Sequence, residues 1–398
     1  MLYLELMTEN RSNSLYFLIL SPISLIKVLT DQNLHKISLF IPKEAELTFY
    51  NPQHKTPDLT GFDALLIRTV TKLNEHNFPK LPSTLKLVGT GSSGSDHVDI
   101  EYLLSKGVHF SDAKGCNASA VAEYVLTSLL LWGVEKQVEL SDLSFGIIGA
   151  GKTGTAVSNL LEKFEASFYL YDPPREKIDP EFTSCSLEEV LRCDVLSFHV
   201  PLIHSGEYST FHWLDKVKLV ENQFKLIINA SRGGVIDESA LKQAIDTGTV
   251  DDCVIDVWEN EPDFDPKLAK QAFIATPHIA GYSEQAKLNA SRLVCEKLCR
   301  FFHLDMPTND LLSQAKNIEL AHLKYSLGQL LSRLHPIREY DAILRDLMNR
   351  EDKATLFSKL RTDRPYRYEY SYMNLDDEFL DRFKELELLG IKSRLRTE

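Results

Sequence analysis

Apolar positions along this chain fall into two patterns. Short, nearly continuous apolar runs bounded by turn residues predict strands at ISLF (37–40), ALLIRT (64–69), LKLVGTG (85–91) and VHFSD (108–112). Before the last of these, IEYLLSKG (100–107) has helical spacing and closes on Gly107, a residue suited to the left-handed position after a helix. Strands alternating with helices predict a parallel sheet. The segment ASAVAEYVLTSLLLWGVEK (118–136) is apolar on most faces and predicts a long buried helix. Six further runs follow: LSFGIIG, SFYLYD, VLSFHV, KLIINAS, DCVIDVW and AFIATPH. Each has the composition of a parallel strand covered on both faces.

These patterns divide the chain into a first α/β domain (1–112), a doubly wound domain (113–282) and a third unit (308–398) beyond a helix over 283–304 and a break at Pro307. In the third unit, PYRYEYSYMNL (365–375) alternates Tyr with polar residues and predicts a strand with one covered face. The most apolar run, SLYFLILSPISLIKVL (14–29), is too short to span a bilayer, is broken by Pro22 and follows Glu5 and Glu9 rather than a basic start. It predicts a buried strand and the beginning of a helix, not a signal peptide.

Length and charge narrow the picture. A chain of 398 residues exceeds one ordinary core. A formal net charge of −13 argues against a nucleic-acid partner, which would need a basic footprint. The six cysteines form no CxxC pair, and the i, i+4 spacing of Cys295 and Cys299 suits two small apolar residues on one helix face. Sparse, unpatterned thiols suggest a reducing cytoplasm. No metal site and no membrane association are expected.

Candidate chemistry begins at GIIGAGKTG. Gly149, Gly151 and Gly154 have G-x-G-x-x-G spacing after an apolar strand and at the opening of a helix, and the next strand ends on Asp172, 18 residues after Gly154. That combination is the dinucleotide fingerprint. Gly149 allows the tight turn, Gly151 lets the backbone approach a pyrophosphate, and Gly154 permits close helix–strand packing. The free N–H groups at the helix start, at Lys152 and Thr153, face the phosphates. Asp172 can accept from ribose hydroxyls and would repel a 2′-phosphate, which favours NAD over NADP; Arg175 lies nearby.

Three later strand ends carry polar residues that an apolar sheet does not need: Arg232 in NASRGG, the acidic cluster of DVWENEP, and His278 in TPHIAGY. In an open parallel sheet such ends converge on the ligand. Oxidising a secondary alcohol by hydride transfer needs a base for the hydroxyl proton, which suits histidine. It needs a carboxylate to orient that base and stabilise its charged form. A carboxylate-bearing substrate also needs a fixed cation, and arginine can grip it through two hydrogen bonds.

The segments GSDHVD, GIIGAGKTG, SRGGVIDESAL, DVWENEP and TPHIAGY, in this order, resemble the D-2-hydroxyacid dehydrogenase family. The resemblance implies two Rossmann-like doubly wound parallel-sheet domains, the second inserted into the first, so that 283–305 returns to the first. It implies that Arg232 binds the substrate carboxylate, Glu261 pairs with the imidazole and His278 shuttles the proton. Asp256 would contact the nicotinamide amide, Gly281 would line the cofactor pocket, and Thr69, Ser92 and Tyr282 would touch the substrate. Glu259 is assigned no chemistry. Val200 stands where relatives often carry threonine, leaving backbone contacts to the cofactor.

DALLIRTVTKLNE (63–75), SDAKGCNASAVAEYV (111–125) and LFSKLRTDRPYRYEYS (356–371) further resemble a subgroup acting on a small anionic phosphorylated hydroxy acid, with a small α+β C-terminal dimerisation domain that forms a homodimer. Arg68, or Arg364 and Arg367 of the tail, from the same chain or a partner subunit, would then hold the phosphate. Two alternatives stay open: a relative acting on 3-phosphoglycerate or glyoxylate, and an NAD-sensing binding protein without turnover.

Overall fold

The first five strands form one parallel sheet: β1 (Ile26–Asp31), β2 (Ala45–Tyr50), β3 (Ala64–Ile67), β4 (Leu87–Thr90) and β5 (His109–Ser111), in the order β2-β1-β3-β4-β5. The computed structural model describes residues 25–54, 56–308, 314–321 and 323–394. Of the apolar run 14–29, residues 14–24 lie outside these. Its end enters β1, and no helix follows directly. ISLF is not a strand but one turn of 3-10 helix (Ile37–Leu39). Ile37 and Phe40, three apart, fall on one side of such a turn and are both buried. Strand β2 escapes the pattern search because it is an edge strand, largely exposed except at Tyr50, and so has no continuous apolar run.

The second sheet holds β6 (Ser144–Ile148), β7 (Ser167–Tyr171), β8 (Val195–Phe198), β9 (Phe224–Asn229), β10 (Val250–Ile255) and β11 (Ile274–Ala275), all parallel, in the order β11-β10-β9-β8-β6-β7. Both sheets share one topology. The chain lays its second strand on one side of the first, then crosses to the other side. In such sheets the ligand crevice opens at the carboxyl ends beside the crossing point, here between β1 and β3 and between β6 and β8.

Two long helices connect the layers. Helix Ala118–Lys136 is buried along most of its length and packs on the second sheet. Helix Glu284–Phe302 packs on the first sheet, burying Leu288, Val294, Cys295, Leu298 and Cys299 beside Val28, Leu66 and Leu87. The chain thus returns to its first sheet after completing the second. The two spaced cysteines are core residues, and all six are free thiols.

The third unit is built of short helices and a small parallel sheet of β12 (Lys316–Asn317), β13 (Met373–Leu375) and β14 (Lys392–Ser393). It shares a core with helix Ala118–Lys136: a Cβ on Gly328 would lie 2.7 Å from the backbone of Leu130. PYRYEYSYMNL is not one strand. It enters β13 only at Met373, after a 3-10 turn over Tyr370–Tyr372. Its tyrosines diverge: Tyr370 is buried with its hydroxyl 2.5 Å from that of Thr127, while Tyr366 packs edge-on to Tyr282. The polar partner that draws the segment out of strand register is Glu123, which pairs with Arg367 at 2.6 Å and accepts from the Tyr370 N–H at 2.8 Å.

That ion pair is almost wholly buried, with side chains 6% and 8% exposed. Burial pushes the Glu123 carboxyl up to about 7 even with Arg367 opposing it. Arg367→Met therefore strands a buried carboxyl and should cost about 3–5 kcal/mol. The sign with pH follows from linkage. The unfolded carboxyl ionises above about 4.3, while the folded variant holds its proton, so the unfolded state binds fewer protons and stability falls as pH rises. Urea midpoints across a pH series check this: the gap to the unsubstituted protein should widen toward alkaline pH. Among the described residues no helix is long and apolar enough to cross a membrane.

Candidate active site

The carboxyl ends of the two sheets enclose a cavity of ≈ 600 Å³. Gly149, Gly151, Lys152 and Thr153 line it on one side and Ser93 and Gly94 on the other, with Arg232 on its wall. Its volume suits a dinucleotide-sized ligand.

The glycine turn fits a pyrophosphate. Gly149 has φ +92°, and a Cβ there would lie 2.7 Å from the His199 carbonyl oxygen. A Cβ on Gly154 would lie 1.9 Å from the Gly149 oxygen, so helix and strand meet without a side chain between them. Gly151 has nothing within 4 Å of its Cβ position and caps helix Lys152–Lys163, leaving backbone N–H groups open toward the cavity. Val200 follows β8 on the wall, its methyl 2.7 Å from that Gly149 position. Asp172 lines the same cavity, and its carboxylate accepts from the N–H groups of Ala150 at 2.8 Å and Arg175 at 3.0 Å. Each oxygen retains a lone pair for a ribose hydroxyl. The Arg175 guanidinium is engaged by Asp179 and the Ala150 carbonyl and stacks over Phe182, so it is not a free cation for a 2′-phosphate.

His278 and Glu261 come together from two strand ends. The imidazole Nδ1 lies 2.7 Å from Glu261 Oε2, and the Trp258 N–H donates to Glu261 Oε1 at 2.9 Å. Both carboxylate oxygens are thereby fixed, and among the described residues the His278 Nε2 has no protein partner. His278 has φ +56°, a left-handed backbone uncommon outside glycine and typical of strained functional positions. Burial raises the Glu261 carboxyl, but the His278 ring, the Trp258 N–H and Arg361 outweigh it and hold the group below the usual carboxylate range.

Glu261→Gln removes the charge and keeps the shape. Expected outcomes are a kcat lower by about tenfold or more, with KM little changed, in steady-state assays. A folded pKa held low adds stability above about 4.3 that is lost on acidification, so the stability gap to this variant should close below that pH.

Arg232 is held across the cleft. Its Nε donates to Asp96 at 2.9 Å, in the loop after β4, and Nη1 to the Ser231 carbonyl at 2.8 Å, leaving Nη2 beside Gly94. Asp96 is the residue sequence reasoning missed here, although it stands in the GSDHVD segment used for the resemblance.

Several expected contacts are placed elsewhere. Asp256 does not face the cavity: its carboxylate is buried and accepts from Thr276, Ile279 and Ala280 at 2.7, 2.8 and 2.9 Å. Those bonds shape the turn carrying His278, so it acts as a positioning group. Burial raises its carboxyl, opposed by His278 and these donors. Gly281 sits behind the cavity wall, where a Cβ would lie 2.2 Å from the Asn117 amide nitrogen, and Asn117 itself lines the cavity. Close approach of Asn117 is what Gly281 serves. Thr69 is exposed just past β3, and Ser92 gives its carbonyl to the Ala113 N–H; neither lines the cavity. Tyr282 lines a second, smaller pocket formed with the tail. Glu259 pairs with His212 at 3.1 Å. Of the tail arginines, Arg367 is taken by Glu123 and Arg364 by Glu339, both of the same chain. Among the described residues no group of three or more His, Cys, Asp or Glu could hold a metal ion.

The profile "D-isomer specific 2-hydroxyacid dehydrogenase, NAD binding domain" matches residues 131–280. The erythronate-4-phosphate dehydrogenase of Bacteroides thetaiotaomicron is 36% identical over 354 residues, covering 88% of this chain and 99% of that protein. That of Psychromonas ingrahamii is 34% identical over 382 residues, covering 94% and 98%. Among solved structures, D-lactate dehydrogenase from Aquifex aeolicus, complexed with NAD and lactic acid, aligns with a TM-score of 0.55 at 25% identity, over 70% of this chain and 95% of that one. The NAD-bound 3-phosphoglycerate dehydrogenase of Entamoeba histolytica, at 22% identity and TM-score 0.57 over 70% and 96%, shares the fold.

Proposed function

The chain belongs to the D-isomer-specific 2-hydroxyacid dehydrogenases, and from that premise we propose that it oxidises erythronate 4-phosphate at C2 with NAD. The product is 2-oxo-3-hydroxy-4-phosphobutanoate, on the route to pyridoxal 5′-phosphate (vitamin B6). The observation carrying this reading is the His278–Glu261 pair, set at strand ends of the sheet that bears the dinucleotide turn, with Arg232 on the wall of the cavity.

Bound NAD supplies the acceptor for the hydride that leaves C2. The residues do the rest. Arg232 orients the substrate by its carboxylate through the nitrogen that Asp96 and Ser231 leave open. His278 Nε2 takes the C2 hydroxyl proton as the C2–H bond breaks and the carbonyl forms. Glu261 stabilises the resulting imidazolium and keeps the ring turned toward C2. The Asp172 carboxylate selects the cofactor without a 2′-phosphate.

Two copies pair through the C-terminal unit, whose Leu323 and Leu388 are exposed apolar side chains. The free, unpaired thiols suit the cytoplasm. A substrate panel tests the activity: kcat/KM should be highest for erythronate 4-phosphate against 3-phosphoglycerate, glyoxylate in the reverse direction and unphosphorylated erythronate. Preference for any of the others would replace this reading.

A further inference from the structure

Arg232, Glu261 and His278 stand beyond three separate strand ends, so their relative placement depends on what ties those ends together. Between the second and third the ties are plain. The Trp258 indole N–H donates to the Thr276 carbonyl at 2.9 Å, and Asp256 pins the turn that carries His278. Another tie reaches across from the Arg232 loop. Helix Glu238–Thr247 begins shortly after that loop, and the Glu238 carboxylate accepts from the Glu259 N–H at 2.7 Å. Among the described residues that N–H has no other partner. The loop also presses on the same peptide: a Cβ on Gly233 would lie 1.9 Å from the Trp258 carbonyl oxygen and 2.8 Å from the Glu259 nitrogen.

Glu238 is a buried ionisable group that the reaction does not use. Burial pushes its carboxyl up to about 7, with the Glu259 N–H opposing and the carboxylates of Glu259 and Asp265 adding to the rise. The nearby cation, Lys242, is paired with Asp265. A carboxyl in such company is costly to keep. Its neighbour Glu259 is held as well: its side chain pairs with His212 at 3.1 Å, and the His212 N–H donates to the Gly234 carbonyl at 2.7 Å. The Trp258–Glu259 peptide is therefore gripped at its oxygen by Gly233 and at its N–H by Glu238. One residue earlier, the Trp258 N–H fixes Glu261 Oε1 at 2.9 Å.

We propose that Glu238 is a positioning residue for the oxidation: by holding the Trp258–Glu259 peptide it keeps Glu261 on His278 and sets that pair against Arg232. No proton or electron passes through Glu238. It acts as a hydrogen-bond acceptor at a fixed reach, so its length matters and its charge does not. The protonated acid still offers a carbonyl oxygen to the Glu259 N–H, and the tie survives titration of Glu238. Without the acceptor, a part-buried N–H is left unpaired and the peptide turns to find another partner. The Trp258 N–H then leaves Glu261, the imidazolium loses part of its stabilisation, and the ring takes up its proton at lower pH. This inference rests on the dehydrogenase reading of the site and not on which 2-hydroxy acid is the substrate.

The test compares the full-length protein with Glu238→Gln, Glu238→Asp and Glu238→Met. Glutamine keeps the reach without the charge, aspartate keeps the charge but draws the acceptor back by one methylene, and methionine removes the acceptor. With erythronate 4-phosphate and NAD, Glu238→Gln should stay within about twofold of the unsubstituted kcat, while Glu238→Asp and Glu238→Met should lose about 10-fold or more with KM little changed. The acid limb of their kcat profiles should move by about half a pH unit or more toward lower pH, a shift that loss of folded protein would not produce. NMR titration of the His278 ring, identified by comparison with His278→Asn, should show the same shift without substrate or turnover. A kcat loss with an unmoved acid limb, an impaired Glu238→Gln beside an intact Glu238→Asp, or an unmoved ring titration would overturn the positioning role. An unsubstituted protein that does not turn over erythronate 4-phosphate, with the ring titration shifted as expected, would overturn the substrate reading alone.

Discussion

His278→Asn should lower kcat by about 10²–10⁴-fold while leaving NAD affinity unchanged. Asparagine is the informative replacement for a structural reason. His278 holds a left-handed backbone at φ +56°, which asparagine tolerates better than most residues. Its amide can still reach Glu261, so the 276–280 turn, pinned by Asp256, should keep its shape. What asparagine cannot do is take a proton at the position of Nε2. The measurement is kcat and the pH–rate profile together with NAD titration of the same sample. A loss of kcat with intact cofactor binding assigns proton transfer to the ring. Loss of both would place His278 in the scaffold.

Arg232→Ala should lower kcat/KM by about 10²–10³-fold, the equivalent of a charged hydrogen bond from Nη2 to a carboxylate together with the loss of a fixed cation at the cavity wall. Part of the loss comes from Asp96, which would face the cavity without its partner. Asp96→Asn separates the two effects: it keeps Arg232 and should cost far less. Arg232→Lys should recover little, because the guanidinium is held by Asp96 through Nε and by the Ser231 carbonyl through Nη1 while Nη2 stays open, and one ammonium cannot keep both anchors and still reach the substrate carboxylate. Near-complete recovery by lysine would mean that Arg232 supplies charge and not orientation.

The sequence made the second sheet legible because its inner strands, β6, β8, β9 and β10, carry mostly apolar runs, as burial on both faces demands. The glycine turn was legible for a related reason: the distances at Gly149 and Gly154 admit no side chain, so the residue type records the geometry. Strand β2 was not legible, since an exposed edge strand needs no apolar pattern. The tyrosine alternation over 365–375 was misleading because alternation reports covered and uncovered sides, and Arg367–Glu123 achieves that spacing without a sheet. Asp256 shows a limit of motif reading. The motif assigns it to the nicotinamide, whereas its three internal hydrogen bonds hold it against the turn that carries His278.

One single-turnover measurement tests the central claim most directly. The protein is mixed with NAD and erythronate 4-phosphate carrying deuterium at C2, and the cofactor and product are weighed by mass spectrometry. Transfer of the deuterium to the nicotinamide with formation of the 2-oxo acid, lost on His278→Asn, is the predicted result. No transfer by the unsubstituted protein, or equal transfer by the variant, would contradict the account.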